Sequence, residues 1–372
     1  MKKLLICSDS FLPRWDGIAR FLIELIPKLK LDFQIRVIIP RFPGKLVEIP
    51  GVKIIRLPIS KLTTGDFSVP RFSKSAIKEH ISWAEIIWTQ TIGPIGGAAI
   101  IAGNKAGKPV VSYIHSLEWE LFSKSIKVWK GFVYKATKRL AKYLYNKSSL
   151  LLVPSLEVVD ILQSNGINTP SKPLFLGVDT HHFIPPEHKG LAKSAIGLQE
   201  NLLTIGYCGR IGREKDLITL YRAYLRVRRR IKHTRLIIVG EGIHDWDKLF
   251  DSKEDIINPG SQNNVLPYLQ ALDVFVLPSL TETTSLATLE AMACGIPPIT
   301  TKVGLVKEYV NENWNGLFFE MGDAYGLYLK LAELLEDGAK RERLGRNARK
   351  TVIEMYDFKK TVEDIKHVLG TF

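Results

Sequence analysis

The sequence predicts an α/β chain built from two doubly wound, Rossmann-like domains. Three observations carry that expectation. Short apolar runs alternate with amphipathic helical stretches along most of the chain. The runs are continuously apolar rather than alternating, the pattern of parallel strands covered on both faces. The pattern pauses around residues 170–199, where Pro173, Gly177, Pro185, Pro186 and Gly190 collect, and then starts again.

In the first half, residues 3–8, 34–39, 53–57, 85–89, 109–114 and 150–154 read as strands, with a helix over 18–29. In the second half, residues 203–207, 236–239, 274–277 and 298–301 read as strands, and 216–231, 267–271, 285–293 and 326–336 as helices. The expected division is an amino-terminal domain over 1–180, a linker over 181–199, a second domain over 200–356 and a terminal helix over 357–372. That last helix has no sequence signature tying it to either core.

A chain of 372 residues exceeds one ordinary core and suits two. With 45% hydrophobic and 24% charged residues, disordered and fibrous classes are excluded. The 52 Lys and Arg outweigh the 38 Asp and Glu by 14 charges, which points to an anionic partner: a membrane surface, a nucleic acid or a phosphorylated substrate. Cys7, Cys208 and Cys294 sit in apolar runs with no C-x-x-C neighbour, and read as buried thiols of a cytoplasmic protein. The apolar start at Met1–Ile6 is cut short by Asp9 and Arg14, and the apolar stretch over 92–103 falls far below the ~20 residues that cross a bilayer. Membrane contact is therefore expected to be peripheral.

The strongest chemical signal runs from Pro278 to Gly295. A strand ends at Leu277, a loop carries Glu282, Thr283 and Thr284, and a helix opens near Ser285 and Leu286. Open α/β sheets bind ligands outside the carboxyl ends of their strands, and a helix start suits a phosphate. Carboxylates accept hydrogen bonds from vicinal sugar hydroxyls, so Glu282 and Glu290 can hold two ends of an elongated ligand. The plainer reading makes Glu282 a solvated loop residue. Glu290 resists it, because its helix is apolar nearly all round and a carboxylate there needs a partner. The second signal is Gly209-Arg210-Ile211-Gly212-Arg213-Glu214-Lys215 after a strand. Gly209 lets backbone approach a ligand, Arg210 offers a planar fork to phosphate oxygens, and Lys215 a point charge.

Together these motifs resemble the retaining glycosyltransferases of family four, which have the GT-B fold of two Rossmann-like domains facing across a cleft. In that family G-R-x-x-x-x-K holds the donor diphosphate, which implies Arg210 and Lys215. The E-x7-E pattern holds the transferred sugar and the nucleotide ribose, which implies Glu282 and Glu290. The loop Asp9–Gly17 resembles the family's first loop, whose glycine, here Gly17, faces the diphosphate. His115 matches a histidine that faces the sugar in many members. The segments 177–185, 239–242 and 273–279 resemble further family segments in the same order. Many members carry glycines where Thr283 and Ser285 stand; Thr281-Glu282-Thr283 instead resembles the branch acting on glycerolipids, such as diacylglycerol glucosyltransferases and sulfoquinovosyltransferases.

The resemblance implies a nucleotide diphosphate sugar as donor, no metal or other cofactor, and retention at the anomeric carbon. Arg210, Lys215 and the helix start near Ser285 are then expected to stabilise charge on the departing phosphate, and His115 to orient a hydroxyl. Asp245-Trp246-Asp247 has the D-x-D form of a manganese site but reads better as an acidic first helical turn. His181-His182 lacks a ligand partner at useful spacing.

Residues 123–149 carry eight Lys and Arg residues and no acid: Lys124, Lys127, Lys130, Lys135, Lys138, Arg139, Lys142 and Lys147. At helical spacing Trp129, Phe132, Val133, Ala136, Leu140, Tyr143 and Leu144 share a face. Two readings fit: an amphipathic helix lying on an anionic membrane, or a core-packing helix with a solvated basic face. A basic run over 226–235 has no aromatic face and reads as solvated. The acceptor expected from the helix and the glycerolipid-like loop is a membrane lipid. The alternatives are a soluble sugar, a lipid-linked glycan, or a nucleotide-sugar epimerase on the same fold. No motif supports nucleic acid binding.

Overall fold

The computed structural model describes the chain except for residues 15, 46–47, 65–66, 71–73, 126–128 and 243–254; for 60–64, 67–70, 74–76 and 124–125 it describes the backbone alone. The chain forms two compact units, Met1–Phe175 with Thr361–Phe372, and Leu176–Lys360.

In the first unit the strands are β1 (Lys2–Cys7), β2 (Phe33–Pro40), β3 (Lys53–Leu57), β4 (Ile59–Thr64), β5 (Phe67–Pro70), β6 (Ile86–Thr89), β7 (Val110–Tyr113), β8 (Leu150–Val153) and β9 (Ser171–Pro173). Seven of them form a parallel sheet in the order β3-β2-β1-β6-β7-β8-β9, and β4 and β5 pair as an antiparallel hairpin. The central strand is buried from Leu4 to Cys7, which explains its unbroken apolar run. Asp16 starts the following helix, Gly17–Leu29, by accepting from the amides of Ile18 (3.0 Å) and Ala19 (2.9 Å).

In the second unit β10 (Leu203–Cys208), β11 (Thr234–Val239), β12 (Ile256–Gly260), β13 (Val274–Leu277), β14 (Pro298–Thr300) and β15 (Leu317–Phe318) form a parallel sheet in the order β12-β11-β10-β13-β14-β15. In each sheet the chain runs outward from a first strand in one direction and then resumes on its other side. That reversal, at β1/β6 and at β10/β13, leaves a crevice at the carboxyl ends of the two strands.

The unit boundary differs from the expected one. Residues 181–199 belong to the second unit, where Lys189–Ser194 is helical. Lys193 is 4% exposed; its ammonium pairs with Asp273 Oδ2 at 2.8 Å and donates to the Leu202 carbonyl at 2.5 Å. Its neighbour Lys189 donates to the Gln270 carbonyl at 3.1 Å, and burial lowers its pKa to about 8. Gly190, read as a linker glycine, is helical, and the segment is held by a charge whose partner is distant in sequence. The C-terminal helix, Phe358–Gly370, belongs from Thr361 onward to the first unit. There Ile365 and Leu369 are fully buried, Thr361 donates to the Phe175 carbonyl (2.9 Å), and Lys366 pairs with Asp32 (2.6 Å). The long helix Gly338–Met355 had no counterpart in the sequence reading. It buries only a narrow stripe, Leu344, Gly345, Ala348 and Val352, too sparse for a periodicity signal.

Asp273→Ala should destabilise the second unit by about 3–5 kcal/mol, since it leaves the Lys193 ammonium buried without its carboxylate. Urea unfolding followed by circular dichroism checks this, and an unchanged midpoint would contradict it.

Candidate functional site

The second unit assembles the sequence-predicted residues at the β10/β13 crevice. At the end of β10, Gly209 takes φ +145°, open to glycine but rarely to other residues. A Cβ on Gly240 would stand 1.9 Å from the Gly209 carbonyl oxygen, and one on Gly242 2.0 Å from that of Ile211. The two glycines thus let the loop after β11 lie directly against the 209–216 loop and brace it. Tyr207 Oη donates to the Arg210 carbonyl at 2.7 Å, and a 3-10 turn at Arg213–Lys215 leads to Asp216 in the left-handed region.

The loop after β13 is fixed as closely. Thr301 Oγ1 donates to the Ser279 carbonyl (2.6 Å), the Leu305 amide to the Thr283 carbonyl (2.7 Å), and Tyr309 Oη to the Thr284 carbonyl (2.7 Å). Gly304 has φ +49°, and a Cβ there would lie 2.4 Å from the Glu282 carbonyl oxygen. The Leu280 amide donates to the Glu214 carbonyl at 2.7 Å, joining this loop to that after β10.

These two loops bring Lys215 and Glu282 into an ion pair, and Ser279 Oγ donates to the same Glu282 oxygen at 2.9 Å. Arg210 pairs with Glu214, a residue to which the sequence reading gave no role. Ser285 stands before the helix Leu286–Ala293 with φ +54°; its hydroxyl meets Thr288 Oγ1 at 2.8 Å rather than capping a backbone amide. Glu290 lies in the body of that helix, 1% exposed. Lys215 and Glu282 therefore meet, Arg210 and Glu214 stand on the loop bonded to theirs, and Glu290 lies beneath the surface. Such a set can hold an anion and hydrogen-bond hydroxyl groups.

In the first unit, the Asp9 carboxylate accepts from Thr91 Oγ1 (2.6 Å) and from the amides of Ile95 (2.8 Å) and Gly96 (3.1 Å), tying the loop after β1 to the start of the helix Pro94–Lys105. Burial raises its pKa and the three hydrogen bonds oppose the rise. Gly17 is exposed, and a Cβ there would meet nothing within 4 Å. His115, after β7, donates from Nε2 to Gln90 Oε1 at 2.8 Å and packs on Tyr113, with ring centroids 4.3 Å apart. Burial pushes its pKa down to about 3, so the ring is neutral near pH 7 and works as a hydrogen-bonding group rather than a charge.

Glu118 was missed by sequence reasoning. It is buried, accepts from Tyr145 Oη, and burial pushes its pKa up to about 7. The signal available was a carboxylate between Leu117 and Trp119.

The basic helix is Lys130–Tyr145. Its expected apolar face divides. Leu144 turns inward with Ala141 and Tyr145, whereas Trp129 (76% exposed), Phe132 (67%), Leu140 (48%) and Tyr143 (55%) face outward. Lys130, Lys135, Arg139 and Lys142 are exposed beside them. Lys127 and Asp245–Asp247 lie outside the described residues, as does the Lys124 side chain. Among the described residues no cluster of three His, Cys, Asp or Glu could hold a metal, and no helix is long and apolar enough to cross a membrane.

Comparison with known proteins gives two family matches: "Glycosyltransferase Family 4" over residues 15–182 and "Glycosyl transferases group 1" over 190–351. Sulfoquinovosyl transferase SQD2 of Arabidopsis thaliana is 30% identical over 64% of this chain and 47% of its own, so the match spans about half of that protein. The UDP-Gal:alpha-D-GlcNAc-diphosphoundecaprenol alpha-1,3-galactosyltransferase of Escherichia coli is 28% identical over 72% of this chain and 70% of its own. Alpha-monoglucosyldiacylglycerol synthase of Acholeplasma laidlawii is 25% identical over 86% and 85%. Among solved structures, Anabaena Alr3699/HepE in complex with UDP-glucose covers 100% of both chains with a TM-score of 0.80 at 18% identity, a likeness of fold.

Folded Glu118 binds a proton more readily than the unfolded chain does. Its stabilising contribution is therefore complete below pH about 4.5 and is lost as pH rises through about 7. Glu118→Gln, which stays neutral, should gain on the unmodified protein by roughly 3 kcal/mol on going from pH 5 to pH 8. A gap in unfolding free energy that does not change with pH would contradict this.

Proposed function

The chain belongs to the group 1 glycosyl transferases of family 4, a GT-B enzyme family, and we propose that it moves a hexosyl group from a nucleotide diphosphate sugar to a hydroxyl of a membrane glycerolipid, with retention at the anomeric carbon. The observation that carries the donor part is the meeting of Lys215 with Glu282 where β10 and β13 end. A cation for phosphate and a carboxylate for sugar hydroxyls stand in contact, as a sugar bonded to a diphosphate requires.

In this reading Arg210, Lys215 and the backbone amides at Leu286 take the diphosphate, Glu282 the transferred sugar and Glu290 the nucleotide ribose. Loop residues Gly209, Thr283, Thr284 and Ser285 shape the site by close backbone approach. For the first unit, the reading gives neutral His115 a hydroxyl to orient. The reaction forms a bond from the acceptor oxygen to the anomeric carbon on the face from which the diphosphate departs. The carbon–oxygen bond to phosphate breaks, and the acceptor proton passes to the leaving phosphate oxygen. Arg210 and Lys215 stabilise the charge that grows there. A cation 4 Å from a phosphate contributes about 4 kcal/mol at an effective dielectric of 20, before desolvation. No metal or organic cofactor enters the scheme.

The lipid acceptor rests on the outward Trp129, Phe132, Leu140 and Tyr143 with Lys135, Arg139 and Lys142 beside them, a surface complementary to an anionic bilayer. The diacylglycerol in one relative's name supports the same choice. A lipid-linked glycan is the second reading, favoured by the relative that acts on a diphosphoundecaprenol-linked sugar.

Glu282→Ala should lower transfer by at least about 10²–10³-fold with the fold intact. The check is nucleoside diphosphate release from a panel of nucleotide sugars, with diacylglycerol liposomes and, separately, lipid-linked glycan as acceptor. Full turnover by the variant would reject the site, and turnover confined to the glycan would move the acceptor. Neutralising Lys135, Lys138 and Lys142 together should reduce sedimentation with anionic liposomes, each charge near the surface contributing about 1 kcal/mol. Unchanged sedimentation would reject this helix as the membrane contact.

A further inference from the structure

Each of the two cations assigned to the diphosphate faces a carboxylate, and the two carboxylates differ in origin. Glu282 reaches Lys215 from the loop after β13 and has its own task with the sugar. Glu214 meets Arg210 from within the same loop, four residues on. Three features hold Glu214 there. Its carbonyl accepts from the Leu280 amide at 2.7 Å, so its backbone is pinned to the neighbouring loop. The Arg213–Lys215 turn folds its side chain back toward Arg210. Finally, the carboxylate lies against the bare Cα of Gly212: a Cβ there would stand 2.4 and 2.6 Å from its two oxygens. The Glu214 side chain is 22% exposed and that of Arg210 48%, so the acid is the more sheltered partner.

We infer that Glu214 is a built-in counter-ion of the donor site, which a diphosphate must displace from Arg210, and that it thereby sets how weakly the donor and the nucleotide product are held. The inference rests on the reading of Arg210 and Lys215 as diphosphate ligands. Carboxylate and phosphate oxygens compete for the same planar fork of guanidinium N–H groups. Arg210, Lys215, Glu214 and Glu282 together carry no net charge, so an incoming diphosphate meets a balanced set rather than a cationic one. Exchange of partners at Arg210 returns part of the binding energy, and the nucleoside diphosphate leaves more readily once the sugar has been transferred.

The test is isothermal titration of the full chain with UDP, GDP and the corresponding nucleosides. Glu214→Gln should tighten binding of whichever diphosphate the unmodified protein takes by about two- to fivefold, the range of a partly exposed ion pair. Nucleoside affinity should stay the same, and diphosphate binding should become more sensitive to salt. Gly212→Ala, which pushes the carboxylate aside while keeping its charge, should shift diphosphate affinity in the same direction and decides the matter if Glu214→Gln does not fold. Diphosphate binding by the unmodified chain with no gain in a folded variant would overturn this inference alone. A failure of the unmodified chain to bind any nucleoside diphosphate would overturn the functional reading and this inference with it.

Discussion

Parallel strands β10 and β13 are neighbours at the centre of the second sheet, yet the chain continues from β10 to β11 on one side and from β13 to β14 on the other. No connection can then cover the gap at their carboxyl ends. The loops that flank the gap carry polar groups that the sheet does not use. Lys215 and Glu282 meet because of this reversal, and the glycines nearby serve it. Gly240 and Gly242 allow backbone to press on the Arg210 loop, and Gly304 does so for the Glu282 loop. A side chain at any of these places would move a loop before it touched a ligand.

Charge is handled differently in the two units. At the β10/β13 crevice cations and carboxylates pair with one another, and the Arg210–Glu214 pair, partly in reach of water, can exchange for a ligand's charge at modest cost. Around the ends of β1, β6 and β7, groups are instead buried among neutral partners. His115 loses its charge to burial, and Glu118 retains its proton to higher pH than a solvated acid. Asp9 is occupied by a helix start and a threonine. The first arrangement suits binding of an anion, and the second suits fixed placement of hydrogen-bonding groups.

The strands and most of the donor motifs were legible because their signals are local. A strand covered on both faces, as β1 is from Leu4 to Cys7, must be apolar at each covered position, and the Arg210–Lys215 and Glu282–Glu290 spacings each fall within one strand–loop–helix step. The Gly338–Met355 helix was not legible, since one narrow stripe suffices to hold it. Sequence reasoning gave no role to Glu118 or Glu214, since what sets them apart is the set of groups that the fold places around them. For the Lys130–Tyr145 helix, periodicity grouped Leu144 with Trp129 and Phe132, but it cannot say which part of a wide apolar face meets the core.

The sequence by itself determined the alternation of strands and helices, the repeat of that pattern in two halves and the residue types that stand at the strand ends. These follow from periodicity and steric preference over a few residues. The tertiary structure decided which distant groups share a space: Lys193 with Asp273, Lys215 with Glu282, and the C-terminal helix with the first unit. Such pairings depend on sheet order and on the burial of charge. Both are set by the whole fold, so no window of sequence contains them.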